Sequence, residues 1–143
     1  MVFIAPIVEG HGEVEAVPVL LHRMAAHHMS NVPLRVNPPI RVKCGSFLND
    51  DVYFRKHVAL AAAKAAPQGG HVLILLDCDD AKWCPATLGP HLLERARRVR
   101  RDVSHLVVLA NKEFETWFIA AIASLGGQQG VARDLVLQPF TFD

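Results

Sequence analysis

The chain has no stretch of eighteen apolar residues, which excludes a membrane-spanning helix. Cysteine is scarce. Cys44, Cys78 and Cys84 are an odd number and form no C-x-x-C pair. A disulfide framework is therefore not expected, and a reducing cytoplasm fits better. No basic segment precedes the first apolar run, so no secretory leader is expected. Charge of either sign is not in excess: 15 Lys and Arg face 14 Asp and Glu. No global attraction to nucleic acid follows, and any such contact must be local. Neither internal repeats nor low-complexity segments occur. Glu9-Gly10-His11-Gly12 is followed by no Gly-Lys-Ser/Thr, so it is not a P-loop, and it is not a full dinucleotide motif either. ATP or NAD binding is accordingly not expected. The eight histidines make no convincing zinc spacing with Cys78 and Cys84.

What remains is a chain of 143 residues, 51% hydrophobic, enough for one domain over 1–143 with its own core. Apolar runs at 3–8 and 72–76 read as buried parallel strands. A third strand is expected at 103–109 and a fourth at 40–44, with a short one at 34–36 before it. Helices are expected at 13–28, 52–66, 85–101 and 113–125. In the first, Val14, Val17, Leu20, Leu21 and Met24 share a face, and Pro18 falls in its second turn. Asn49-Asp50-Asp51 caps the second helix, and Gly69-Gly70 stops it. Gly126-Gly127 stops the last. Alternating strands and helices imply an α/β fold: a Rossmann-like, mostly parallel four-stranded sheet with helices on both faces. Residues 131–143 end without an evident final element, which fits either a missing C-terminal part or a natively short chain.

The acids fall where such a sheet binds ligands, at the carboxyl ends of strands. Glu9 follows the first strand and precedes Gly10, expected to allow a sharp turn. Asp77-Cys78-Asp79-Asp80 follows five aliphatic residues. Asp77 and Asp79, two apart, point to one side of an extended chain, so both can face one cation. Clustered carboxylates repel unless a hard cation neutralises them, which points to Mg²⁺ or Mn²⁺. Each acid also has a plainer explanation. Glu9 and Asp80 suit turns or caps. Glu13 and Glu113 suit the positive end of a helix dipole, as does Glu115. In the functional reading Glu13 is either a second-metal ligand or a support behind the direct ligands, and Glu113 or Glu115 is a ligand or general base. Glu15 is expected to face solvent. Cys78 is expected in the core, with Phe114, Trp117 and Phe118.

Together these residues resemble the Toprim family of topoisomerases, bacterial primases, recombination-repair proteins and OLD-type nucleases. That family places a glutamate after its first strand, matched by Glu9, and an Asp-x-Asp after a later one, matched by Asp77 and Asp79. The Glu9 to Glu13 spacing looks more like the OLD-type nucleases. Glu113-Phe114-Glu115-Thr116-Trp117-Phe118 is similar to an uncharacterised Toprim-like branch, a likeness that spans about residues 3–125. Members of that branch tend to be longer. The resemblance implies a Toprim-like fold, Glu9 as general acid/base or ligand, Asp77 and Asp79 as Mg²⁺ ligands, and Glu13 and Glu115 completing a second metal. Two metals would stabilise the attacking and leaving oxygens of an in-line displacement. The chain departs from the topoisomerases in lacking a nucleophilic tyrosine near the motifs, since its one tyrosine, Tyr53, falls on the second helix. It is also too short for a primase's extra domains.

Three other groups are candidates for substrate contact. His11 lies in the loop after Glu9, where it can meet a phosphate or move a proton near neutral pH. Lys112 follows the strand expected at 103–109 and either contacts phosphate or is exposed. Arg97, Arg100 and Arg101 would share a helix face; a phosphate-backbone contact by Arg97 and Arg101 competes with a solvated face whose cations suit the helix C-terminus. The expected activity is a metal-dependent nuclease on DNA or RNA. The competing expectation is a non-catalytic module that docks an ATPase or other defence-system partner. A small-molecule phosphohydrolase is a weaker third.

Overall fold

Five strands and four helices build an α/β sandwich in the computed structural model, which describes residues 1–80, 82–114, 116, 117 and 121. The strands are β1 (Val2–Val8), β2 (Leu34–Val36), β3 (Ile40–Arg41), β4 (His71–Cys78) and β5 (Ser104–Asn111). Every pairing is parallel, in the order β2-β1-β4-β5, with β3 also on β1. The sheet has four strand positions, because β2 and β3 share one edge of β1. Pro38 and Pro39 lie between them and have no N–H to give to a ladder.

The helices are α1 (His11–His28), α2 (Cys44–Asn49), α3 (Asp51–Ala65) and α4 (Pro85–Val99). Phe3, Ala5 and Ile7 of β1 join Val72, Ile74 and Leu76 of β4 in the larger core, beneath Phe54, Val58 and Ala62 of α3 and Leu88, Leu92 and Ala96 of α4. Val8, Leu75 and Ala110 point the other way, toward Val17 of α1 and Phe114. Helices thus cover both faces of the sheet. The small side chains Ala61, Ala62 and Ala65 let α3 approach closely. Among the described residues no helix is long and apolar enough to cross a membrane.

Local chemistry sets the helix ends. The Asp50 carboxylate accepts from the backbone N–H groups of Val52 and Tyr53 at 3.0 and 3.1 Å, so α3 begins at Asp51. After a 3₁₀ turn at Ala66–Gln68, Gly69 takes the left-handed conformation at φ 58° and turns the chain into β4.

Several expected boundaries move. The strand expected at 40–44 stops at Arg41, and Cys44 opens the unforeseen α2. The helix expected at 13–28 begins at His11, so Pro18 sits in its interior rather than its second turn. The helix expected at 85–101 ends at Val99 and runs through Gly89-Pro90, while the strand expected at 103–109 extends to Asn111. Met24 is exposed rather than on a buried face, and Trp117 is 38% exposed rather than in the core. Phe118, Gly126-Gly127 and the final turns of the helix expected at 113–125 lie outside the described residues.

Candidate metal centre

β1 connects to β2 and β3 on one side, and the chain then returns to place β4 on the other side of β1. The carboxyl ends of β1 and β4 therefore flank the point where strand order reverses, the usual ligand crevice of an open α/β sheet. Val8, the last residue of β1, sits beside Leu75 of β4. Glu9 follows at once, and Asp77 lies two residues beyond Leu75 in the same ladder. Asp77 is thus inside β4 rather than after it, and Asp79 is the first exposed residue past the strand end.

Glu9 and Asp77 form a wall between two cavities. One, of about 370 Å³, is also lined by His11, Glu13 and Glu113. The other, of about 210 Å³, is also lined by Cys44, Asp79, Asp80 and Trp83. Of the residues singled out from the sequence, the fold brings Glu9, His11, Glu13, Asp77 and Glu113 around the first cavity, and Glu9, Asp77 and Asp79 around the second. Lys112 lines neither, although its backbone stands at φ 69°, uncommon for a residue with a side chain, directly after β5. Arg97 and Arg101 lie at the opposite edge of the sheet, about 25 Å away given eight residues of β4. Glu115 lies outside the described residues.

Each acid is held differently. Burial, and then the charge of Asp77, push the Glu9 carboxyl above its usual range; Asp79 and Glu13 add to this, while a hydrogen bond from the Asp77 backbone works the other way. Glu9 Oε2 is buried with no hydrogen-bond partner. The Arg41 guanidinium anchors the same residue's backbone, donating to the Glu9 carbonyl at 3.0 Å. Asp77 Oδ1 accepts from the Phe114 backbone N–H at 2.8 Å and so ties the loop after β5 to the end of β4. Asp80 closes a turn by accepting from Lys82 N–H at 2.9 Å, the plainer of its two expected roles. Cys78 is buried, as expected, and its thiol donates to the Trp83 carbonyl at 3.4 Å.

Gly10 has a different purpose from the one expected. Its backbone is ordinary, φ −91° and ψ 162°, so no sharp turn requires a glycine. A methyl group there would overlap the Glu13 carboxylate. The glycine gives Glu13 room to fold back over the helix start, and Glu13 is accordingly buried.

Cys44 was not foreseen as part of this region. Burial, followed by the charges of Glu9, Asp79 and Asp77, pushes its thiol up to about 12. The available signal was its position just past a strand end on the same sheet edge, hidden by the expectation that the strand included it.

A hard cation partly fits these residues. The unpartnered buried oxygen of Glu9 and the crowding of like charges are what such an ion would relieve. Among the described residues, however, no three His, Cys, Asp or Glu side chains converge closely enough to hold a metal ion. No protein-family model, curated protein or solved structure matches this chain.

Proposed function

We propose that the chain is a Toprim-like, divalent-metal-dependent phosphoryl-transfer module that acts on DNA or RNA phosphodiesters. The observation that carries this reading is the buried, unpartnered Glu9 oxygen beside Asp77, at the reversal point of the sheet. Asp77 and Asp79 would hold Mg²⁺ or Mn²⁺, with Glu9 between them and Glu13 and Glu113 of the first cavity. A bound cation would supply Lewis-acid polarisation of the phosphate and a more acidic water. Glu9 suits proton transfer because burial and Asp77 move its carboxyl toward neutral pH. Glu113 is exposed and can take part only at the rim, where His11, also exposed, can meet a substrate phosphate. The three free cysteines support a reducing cytoplasm as the working compartment.

The test is cleavage of single- and double-stranded DNA and RNA with Mn²⁺ or Mg²⁺, using wild type, Asp79→Ala and Asp77→Asn. Asparagine is chosen at 77 because it keeps an oxygen for the Phe114 N–H. The reading expects metal-dependent cleavage by wild type alone. Cleavage surviving in both folded variants would refute it.

One observation favours a second reading. The described acids do not converge on a single point. A non-catalytic module that docks an ATPase or other protein partner has no need of such convergence. That reading expects a folded wild type that neither binds Mn²⁺ nor cleaves any substrate.

A further inference from the structure

The amino edge of the sheet carries a feature that the acid site does not use. A cleft of about 470 Å³ lies between the end of α4 and the start of β5, lined by Glu94, Arg97, Arg98, Arg101, Ser104 and His105, with Asp102 at its side. That volume is within the range of about 300–1,000 Å³ usual for small-ligand sites. Two of the local cations are spoken for. Arg98 pairs with Glu94 at 3.1 Å, and Arg100 makes a two-pronged contact with Asp102 at 2.8 and 2.7 Å. These pairings also neutralise both acids of the cleft. Arg97 and Arg101 have no carboxylate partner among the described residues, and both are exposed.

Beneath them sits His105, 4% exposed. It lies opposite Val72 in the sheet, on the face covered by α4. Neither ring nitrogen has a hydrogen-bond partner. Burial first, then the charges of Arg97 and Arg100, hold the imidazole toward its neutral form, with the Val103 carbonyl and Asp102 opposing. A neutral imidazole always carries one N–H, and here the Val103 carbonyl is the acceptor beside it, without a hydrogen bond of full geometry. The dipole at the end of α4 favours cations nearby, but it does not explain a cleft lined by two arginines without carboxylate partners.

We propose that this cleft is an anion site that takes a phosphate group, gripped by Arg97 and Arg101 over the His105 ring. Guanidinium groups offer paired donors that match phosphate oxygens, and two without a carboxylate partner at one cleft form a complementary set. The helix C-terminus itself repels anions, so the two arginines carry the binding. The phosphate is either free or the end of a small phosphomonoester. The site stands apart from the carboxylates and does not depend on their function.

The test is NMR titration of the full chain with inorganic phosphate in the absence of divalent cations, at constant ionic strength set with sodium chloride. The expected result is saturable shifts at the Ser104 and His105 amides and the His105 side chain. Affinity falls tenfold or more in the double variant Arg97→Gln/Arg101→Gln, whose thermal melt stays unchanged because both side chains are exposed. Arg101→Lys, which keeps the charge but loses the paired donors, weakens binding less. A second titration with a nucleoside monophosphate distinguishes the sources: equal affinity means free phosphate fills the site, and tighter binding means a phosphomonoester does. Shifts that fail to saturate, that spread to distant arginines such as Arg55, or that persist in the double variant would overturn the proposal.

Discussion

Replacing Glu9 by glutamine should stabilise the metal-free protein, an unusual outcome for a change at the end of a central strand. Glu9 Oε2 is buried without a partner, and Asp77, Asp79 and Glu13 all repel its charge. A buried polar group without a partner costs about 1–3 kcal/mol. Glu9 is only half-buried, so the lower figure of about 1 kcal/mol applies. Glutamine keeps the shape, removes the charge and can donate to a neighbouring carboxylate. For a chain of this size, about 1 kcal/mol corresponds to a rise in Tm of about 4 °C. The pH dependence has a definite sign. Because the folded carboxyl titrates above its ordinary value of 4.5, its contribution to stability is fully present below that value. It is lost as pH rises through the raised folded value. The glutamine advantage is therefore largest at neutral pH and vanishes in acid. Metal reverses the order. At a free Mn²⁺ concentration ten times Kd, wild type gains about 1.4 kcal/mol and the variant gains little. The assay is thermal melting by circular dichroism in EDTA and in Mn²⁺. A variant less stable than wild type in EDTA, or equally stabilised by Mn²⁺, would refute the reasoning.

Three further outcomes test the fold and the site's electrostatics. Asp50→Ala removes the acceptor for two N–H groups at the start of α3 and should cost about 1 kcal/mol in urea unfolding. Phe54→Ala empties a fully buried position and removes the ring under the Arg95 guanidinium, 3.9 Å from its centroid; the expected cost is about 3–5 kcal/mol by the same method. Exposed Cys84 should react with iodoacetamide at pH 8 about a thousandfold faster than Cys44, whose thiol is pushed up to about 12. Mass mapping of the labelled peptides measures the ratio, and equal rates would contradict the electrostatics described around Glu9.

The strands were legible because their signal is crude and strong. Val72 to Leu76 is unbroken aliphatic sequence, and a run of that kind is buried on both faces in a parallel sheet. The Asp50 cap was legible because a short acid before a helix has a local purpose. Adjacency of Glu9 and Asp77 followed from the rule that ligands gather where strands end. The missed details depend on tertiary contacts. Nothing local distinguishes a Cys44 that ends a strand from one that starts a helix. Gly10 looks like a turn residue, yet it is the Glu13 carboxylate folding over it that needs the space. The arginines of α4 fall near the acids in no sense but composition: α4 runs antiparallel to the strands, so its C-terminus reaches the opposite edge. Pairing of Asp77 with the Phe114 N–H joins residues far apart in sequence, and no spacing rule reveals it.

Calorimetric titration of Mn²⁺ into wild type, Asp79→Ala and Asp77→Asn tests the central claim most directly. The account predicts saturable binding by wild type, displaced by excess Mg²⁺ and lost or much weakened in both folded variants. Absence of binding by the folded wild type at millimolar Mn²⁺, or binding unchanged in both variants, would contradict it.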